Sequence, residues 1–145
     1  MFANIGGAVP GDTYNKVLFK NPGGHGNHWL SIRLVGAKSN RAAIGAKIKL
    51  TIAGEGEGKD SMRFREVTSG GSLGASSLVQ EIGLGKAKRV KTLEVWWSAS
   101  NTRQTFRDVA ADQFIEIKEF DNNYTVRQLR SFDLGSKKTN HPATH

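Results

Sequence analysis

Two histidines and a small group of carboxylates are the first side chains in this sequence that suggest metal binding. His25 and His28 have an H-x-x-H spacing, but zinc needs three or four ligands. The sequence has no cysteine, and Asp12 is the only acid shortly before the pair. We therefore expect His25 and His28 to be exposed turn residues, and we expect His141 and His145 to be solvated in a polar tail.

Glu55, Glu57 and Asp60 form the second candidate metal site, because calcium takes several carboxylate and carbonyl oxygens. Their spacing offers two or three such ligands, but the richer acidic pattern of the twelve-residue calcium loop is missing. The favoured interpretation is a charged hairpin tip that discourages pairing at the sheet edge. Calcium remains the alternative, and no other cofactor is expected.

Catalytic templates are not matched in this chain. It contains no G-x-S-x-G nucleophile motif, and the serine-rich segment Ser69–Ser77 has no histidine or acid nearby to serve as a base. Asp108 and Asp112 have the spacing of a carboxylate pair, but carboxylates on a half-buried turn more often cap or solvate it. We therefore expect no enzymatic activity and no catalytic residues. A hydrolase acting on a surface polymer is a third, weaker hypothesis.

A glycine-rich and basic segment is a candidate anion site. Gly83–Lys86 is followed by Lys88, Arg89 and Lys91, but the segment lacks the P-loop spacing and no helix follows it. We interpret it as a β-turn in which the glycines adopt positive φ. The functional alternative is a weak anion-binding patch.

Side chains that suit binding are better represented. In the run Arg89–Trp97, Leu93, Val95 and Trp97 alternate with polar residues, which predicts that Trp97 lies in the core and Trp96 points outward. An outward tryptophan is a platform for stacking on sugars or for a protein contact; cover by a neighbouring domain or loop is equally favoured. Three residues of the serine-rich segment are candidate partners in such a site: Ser72, Ser76 and Ser77.

The elements that must position these side chains are strands. The chain has 145 residues, of which 37% are hydrophobic and 17 are glycine, and its apolar residues alternate in short runs separated by turn residues. This pattern predicts an all-β, antiparallel β-sandwich of about seven to eight strands with long loops. The clearest alternating runs are 29–35, 47–53, 62–68, 89–97 and 114–119.

The run 29–52 contains two of these strand patterns, which we predict to be an antiparallel pair or two neighbouring strands. The connection Gly36–Gly45 is about twice as long as a plain hairpin loop. It carries the polar triplet Ser39, Asn40 and Arg41. The structural interpretation is a loop pinned to the sandwich, with Arg41 paired to Glu94 or Glu116. The functional interpretation is that all three residues of the triplet contact a ligand. The run 62–68 is the predicted hairpin partner of 47–53.

Several blocks in this region resemble the ASPIC/UnbV domain family. They read Asn27-His28-Trp29-Leu30, Leu34-Val35-Gly36, Ser39-Asn40-Arg41 and Ala43-Ile44-Gly45-Ala46. Further similar blocks are Gly71–Ser77, Glu81–Gly85 and Leu93–Trp97; Ser98 departs from the usual proline. The resemblance runs from about residue 15 to residue 119. We divide the chain into a linker or preceding repeat (1–14), an ASPIC/UnbV-like domain (15–135) and a disordered tail (136–145).

The resemblance implies a context rather than a mechanism. In the family that this chain resembles, such domains follow propeller repeats of the FG-GAP or VCBS type in exported proteins. We therefore expect a periplasmic, cell-surface or extracellular location. We interpret the start of this chain as that of an excised fragment. The implied role is a non-enzymatic binding module, whose partner is its own propeller, another protein or a surface polysaccharide. The alternative is a carbohydrate-binding module that uses Trp96 and Ser69–Ser77. The net charge is +8, but recognised nucleic-acid motifs are missing, and no apolar run is long enough for membrane insertion.

Overall fold

The computed structural model describes residues 25–54, 58–70 and 76–129, together with the backbone of residues 2–3 and 17–18. Within these residues the chain forms strands and turns, and none of them belongs to a helix that is long and apolar enough to cross a membrane. Several expectations lie outside the described residues: the ends of the proposed domain, the tail with His141 and His145, and the residues Glu55, Glu57 and Ser72.

Ten strands occur in the described residues, and eight of them build two four-stranded sheets. β1 and β2 form a separate antiparallel pair. The strands are β1 (Phe2–Ala3), β2 (Val17–Leu18), β3 (His28–Val35), β4 (Lys47–Ile52), β5 (Ser61–Glu66), β6 (Val79–Gly85), β7 (Arg89–Trp97), β8 (Thr102–Ala110), β9 (Gln113–Lys118) and β10 (Thr125–Arg127).

The two larger sheets give the all-β sandwich that the alternating sequence predicts. The first sheet has the strand order β10-β9-β3-β6, and the second sheet has the order β5-β4-β7-β8. Their apolar side chains form one buried cluster. Trp97 is fully buried there and its indole N–H donates to Gln104 Oε1, so the prediction that Trp97 is a core residue is confirmed.

One strand pair departs from the antiparallel pattern. β3 and β9 run parallel, from Leu30 opposite Gln113 to Val35 opposite Lys118. The other described pairs in the sheets are antiparallel. Parallel partners need a crossover connection. Here the chain between β3 and β9 contains β6 and all four strands of the second sheet.

The prediction that β3 and β4 are paired or neighbouring strands is wrong. β3 belongs to the first sheet and β4 to the second, so the connection Gly36–Ala46 crosses from one sheet to the other. Alternation shows which face of a strand is buried but does not identify its neighbour. The predicted hairpin of β4 with β5 is confirmed, with Lys47 opposite Glu66 and Ile52 opposite Ser61.

The predicted turn at Gly83–Lys86 is only partly correct. Gly83 lies within β6, opposite Trp29 of β3, and the chain turns only after Gly85. Gly85 has φ +65°, which is a conformation that glycine adopts without steric cost. Ile82 and Leu84 are buried on the inner face of the sheet, so two core contacts keep this glycine-containing segment extended.

Candidate functional site

A buried carboxylate holds the long connection between the sheets. The parallel register ends with Val35 opposite Lys118, and the Glu119 N–H then donates to the Val35 carbonyl at 2.9 Å. This places the Glu119 side chain, which is 3% exposed, beside the first residues of the connection. The backbone N–H groups of Ala37, Lys38 and Ser39 donate to its Oε2 at 2.7, 2.8 and 2.8 Å. Ser39 Oγ donates to Oε1 at 2.8 Å.

These hydrogen bonds determine the ionisation state of Glu119. Burial disfavours the charged carboxylate, but hydrogen bonds from Ser100 and Ser39 and from the backbone of Ala37 outweigh that cost and lower the pKa to about 2. Donors aimed at a charged oxygen stabilise the ionised form. Glu119 is therefore an anion at any ordinary pH, and it occupies the concave row of N–H groups that would otherwise attract an external anion.

The rest of the connection is also closed on itself. Asn40 Nδ2 donates to the Ile44 carbonyl at 2.9 Å, and the Ile44 N–H donates to Asn40 Oδ1 at 3.0 Å. At the other end, the Gly45 N–H donates to the Val67 carbonyl, and Ser98 Oγ donates to the Gly45 carbonyl at 2.7 Å. The hydroxyl of Ser98, at the position where the family pattern has proline, thus ties the connection to the end of β7.

The predicted ion pair of Arg41 with Glu94 or Glu116 is wrong. Glu94 pairs with Lys49 at 2.9 Å. Glu116 is 5% exposed and pairs with Arg127 at 2.8 Å and Arg33 at 4.0 Å. The carbonyl of Arg41 accepts the Gly36 N–H at 3.3 Å, and its side chain is exposed. Of the polar triplet, Ser39 and Asn40 therefore have internal partners, whereas the exposed guanidinium of Arg41 is in none of the ion pairs of the described residues.

The outer face of the second sheet has a different character. Strand register places Glu66, Lys47, Trp96 and Arg103 in one row across β5, β4, β7 and β8. The next row contains Phe64, Lys49, Glu94 and Thr105. Both rows point away from the core, since their strand neighbours Ile48, Leu50, Leu93 and Val95 are buried. We call these two rows the outer face.

Trp96 is the centre of the outer face and is half-buried there. Lys47 Nζ lies 5.2 Å from its ring centroid and the guanidinium carbon of Arg103 lies 5.6 Å from it, which are cation–π distances. Because Lys47 is on β4 and Arg103 is on β8, the two cations approach the indole from opposite sides. The indole N–H donates to Asn101 Oδ1 at 3.3 Å. The outward orientation predicted for Trp96 is thus observed, but its ring lies between two cations.

A shallow depression of about 420 Å³ opens beside Trp96. Its walls include Phe64, Arg65 and the ion pair between Lys49 and Glu94. Phe64 is 61% exposed, which is high for a large aromatic side chain in a protein of this size. An apolar floor bordered by a few charged groups is a common composition for a binding surface.

The serine-rich segment begins next to the outer face. It leaves β5 after Glu66, which lies in the same row as Trp96. Ser76 Oγ donates to the Gly70 carbonyl at 3.1 Å, and Ser77 Oγ accepts the Val79 N–H at 3.2 Å. These two candidate ligand contacts thus make local hydrogen bonds, whereas the middle of the segment, residues 71–75 with Ser72, lies outside the described residues.

The other acidic candidates form separate ion pairs. Asp112 accepts from the His28 ring at 2.6 Å, Asp108 pairs with Arg89, and Asp60 pairs with Lys91 at 2.7 Å. The hydrogen bond from His28 lowers the pKa of Asp112, and that from Lys91 lowers the pKa of Asp60. Asp108 and Asp112 therefore have separate partners, and the described residues contain no cluster of three or more potential metal ligands.

The same contacts reduce the charge of the candidate anion patch. Arg89 and Lys91 pair with Asp108 and Asp60, whereas Lys86 and Lys88 are exposed cations outside the ion pairs of the described residues. Those two side chains follow the turn at Gly85 and have no aromatic contact among the described residues. Sequence reasoning did not identify Lys47, Arg103 and Phe64, because their grouping depends on strand register.

The fold and the closed connection define a β-sandwich domain of one sequence family. The family model described as ASPIC and UnbV matches residues 36–123, which is more than half of the chain. The protein therefore belongs to the ASPIC/UnbV family, as the sequence blocks predict. Searches of curated proteins and of solved structures gave no significant match.

Proposed function

We propose that this domain is a non-enzymatic module that binds another protein through the outer face. The observation that carries this proposal is the arrangement around the depression of about 420 Å³. There Trp96 is fixed between Lys47 and Arg103, and Phe64 is 61% exposed beside it. Tryptophan and arginine are the residues most enriched among those that dominate binding energy at protein interfaces.

Contacts within the free domain also restrict the side chains of the outer face. Its side chains stand on four hydrogen-bonded strands, and the cation–π contacts and the ion pair between Lys49 and Glu94 restrict the long side chains. Restricting rotamers in advance reduces the entropy lost on association. This supports a role in recognition, because side chains that are already restricted lose less conformational entropy on binding.

The contacts of the acidic side chains support a non-enzymatic role. A general base needs a shifted pKa and access to a substrate proton. The carboxylate of Glu119 is buried and accepts only internal donors, and Asp108, Asp112 and Glu116 each bind a cationic side chain or a histidine ring. Glu119, the carboxylate whose pKa is lowered to about 2, thus stabilises the connection Gly36–Ala46.

Membership of the ASPIC/UnbV family supports a wider context. Domains of this family are expected at the C-terminal end of exported propeller-repeat proteins, and we extend the proposal to that setting. In it the module would connect the propeller protein to a partner at the cell surface, in the periplasm or outside the cell. Detection of the full-length protein in culture medium or a periplasmic fraction, against a cytoplasmic marker, tests this part of the proposal.

Carbohydrate binding through Trp96 is less well supported by the geometry. A neutral sugar stacks on an open aromatic face, whereas both sides of the Trp96 ring are approached by cations. Stacking there requires displacement of Lys47 or Arg103. The open ring of Phe64 is the observation that keeps a glycan as the second candidate ligand.

A binding screen with matched tryptophan variants tests the proposal. The wild-type domain, Trp96→Ala and Trp29→Ala are applied to a displayed random-peptide library and to a glycan array. Trp29 is a suitable control because it is 39% exposed but lies on the first sheet, and its hydrogen bonds to Asp112 use backbone atoms. We expect peptide ligands that bind wild type and Trp29→Ala but not Trp96→Ala. Absence of any ligand, or equal binding by both variants, would refute the proposal.

A further inference from the structure

Resting on that proposed function, we infer that the partner presents an acidic segment with an apolar side chain next to its carboxylates. The outer face offers two kinds of contact that such a segment requires. Cationic groups are held at fixed positions around Trp96, and an exposed aromatic ring lies one row away.

The cations of the outer face are held where a carboxylate can reach them. Lys47 Nζ and the Arg103 guanidinium are positioned by the indole of Trp96 at 5.2 and 5.6 Å. Within the described part of the chain, the ion pairs do not include either group. A guanidinium positioned by an aromatic ring still has N–H donors for a bidentate carboxylate contact.

The exposed ring of Phe64 is the reason to expect an apolar side chain in the partner. Its ring is 61% exposed and Met62, two residues earlier on the same strand, is 51% exposed. Both side chains point to the outer face, because the register pairs them with Lys49 and Thr51. Burial of an exposed aromatic ring contributes about 25 cal/mol per Å² of apolar area. A partner that covers Phe64 with an apolar side chain gains this energy, and a purely polar partner does not.

The mixed charge of the outer face favours a protein segment over a uniformly anionic polymer. Glu66 lies opposite Lys47, and Glu94 lies opposite Lys49. A polysaccharide with a negative charge on each repeat would place some of these charges against Glu66 and Glu94, and like charges at close range are unfavourable. A protein segment can place two carboxylates at Lys47 and Arg103 and another residue type at the glutamates.

The partner is expected to lie on the face and not to extend the sheet at its edge. β5 is an edge strand, and exposed edge strands often pair with a strand from another chain. Here Arg63 Nη1 donates to the Met62 carbonyl at 3.1 Å and Arg65 Nη1 donates to the Phe64 carbonyl at 2.8 Å. These side chains occupy two carbonyl acceptors of the edge, and their charge opposes strand addition.

A second copy of the chain is a poor occupant. The domain has a formal net charge of +8, and two such molecules repel each other. The described carboxylates are also mostly engaged in internal ion pairs. An acidic partner instead gains from the net charge of the domain during association, and the gain decreases as salt is added.

The test uses peptides selected from the displayed library on the wild-type domain, resynthesised with a fluorophore. We expect at least two Asp or Glu residues beside an aromatic residue or leucine in the enriched sequences. Fluorescence anisotropy of one such peptide should show binding that is roughly tenfold weaker for Lys47→Ala or Arg103→Ala. Lys118→Ala on the first sheet is the matched control, since it removes one exposed cation away from the outer face, and it should keep the wild-type affinity.

The outcomes separate this inference from the proposed function. Enriched peptides without carboxylates, or a glycan ligand that still depends on Trp96, would overturn the acidic-segment inference and leave the outer face as a binding site. Equal losses in Lys47→Ala and Lys118→Ala would also overturn it, because net charge alone would then explain binding. Light scattering that shows a dimer broken by Arg103→Ala would replace the acidic partner with a second copy. Melting temperatures of all variants verify that each one is folded.

Discussion

The connection Gly36–Ala46 and the outer face of the second sheet use polar side chains in opposite ways. In the connection, the side chains of Ser39 and Asn40 have partners within the domain, and the backbone N–H groups of Ala37, Lys38 and Ser39 donate to Glu119. On the outer face, Lys47 and Arg103 contact only the ring of Trp96 among the described aromatic and acidic groups. The first region contributes stability, whereas the second keeps its donors available.

The comparison shows that a polar motif is not evidence of a ligand site until its partners are known. Ser39 and Asn40 belong to the blocks that best resemble the family, yet their hydrogen bonds are internal. Lys47, Phe64 and Arg103 belong to none of the blocks that carry the resemblance, and they form the open surface. Substitutions in the connection should therefore change stability, and substitutions on the outer face should change binding.

The largest effect is expected for Glu119→Gln. The new amide is neutral, so the backbone donors that now bind a carboxylate oxygen at 2.7–2.8 Å lose a charged acceptor. Its NH₂ group also cannot accept the hydrogen bond that Ser39 Oγ donates to the other oxygen. We expect a loss of about 3 kcal/mol in the free energy of unfolding and a fall of roughly 10 °C in Tm. Urea denaturation and calorimetry measure both. Glu81→Gln, at an exposed position of β6, is the matched control and should be neutral.

The contribution of Glu119 should also be visible in the pH dependence of the free energy of unfolding. The pKa of Glu119 is about 2 in the folded state and its ordinary value is 4.5, so its contribution is complete above pH 4.5 and is lost as the pH falls toward 2. We expect the free energy of unfolding to decrease over this range in the wild type, and to decrease less steeply in Glu119→Gln. Glu116, Asp112 and Asp60 also have lowered pKa values, so the free energy of unfolding of Glu119→Gln should still decrease somewhat as the pH falls. Identical slopes in the two proteins would contradict this assignment.

Gly36→Ala tests how tightly the connection is packed. A Cβ atom at this position would lie 2.1 Å from the Asn40 carbonyl oxygen and 2.7 Å from that of Ser39, so the backbone of the connection must shift to accommodate it. We expect a loss of about 2 kcal/mol. Gly83→Ala is the control, because a Cβ atom there has no described neighbour within 4 Å. Equal melting temperatures of the two variants would show that the connection is looser than the contacts indicate.

Asn40→Ala should have a smaller effect. It removes the two hydrogen bonds to the backbone of Ile44, but these groups are exposed and water can replace them. We expect a loss of about 1 kcal/mol, and unchanged affinity for any ligand of the outer face. A variant with wild-type stability but lost binding would reverse the roles that we assign to the two regions.

The smallest effect on stability is expected for Arg103→Ala. Its guanidinium is exposed and contacts the Trp96 ring, and surface contacts of this kind change the free energy of unfolding by less than about 0.5 kcal/mol. Urea denaturation should therefore show the wild-type midpoint in the same protein that binds the peptide roughly tenfold more weakly. A loss of several kcal/mol would place Arg103 among the stabilising residues instead.

Most strands could be predicted from the sequence because one face of each is buried. β3, β4 and β7 alternate clearly, and Ile115 and Ile117 of β9 point inward as predicted and are fully buried. β8 was missed as a strand because its alternation fails. Phe106 and Val109 are both buried although they are three residues apart, since Asp108 adopts φ +54° and shifts the phase of the strand. Its pairing with Arg89 involves a residue of the neighbouring strand.

The order of strands and the composition of the candidate site could not be predicted in the same way. The parallel pairing of β3 with β9 joins segments that are far apart in the sequence, and no local sequence pattern predicts it. The contact of Ser39 with Glu119 and the position of Lys47 next to Trp96 both depend on this kind of long-range register. Trp96 was identified because a single strand is enough to show which way it points.

The parallel pairing of β3 with β9 also constrains how the domain folds during synthesis. The hairpins β4–β5 and β7–β8 are short-range and can close while the chain is still growing. β3 can pair with β6 before β9 has been made, but the first sheet cannot be completed until then. The parallel partner of β3 lies roughly 80 residues later in the chain, and closing such a long loop slows folding. Until then the core lacks Ile115 and Ile117, the fully buried side chains of β9. A nascent chain that ends before β9 should therefore be a substrate for chaperones.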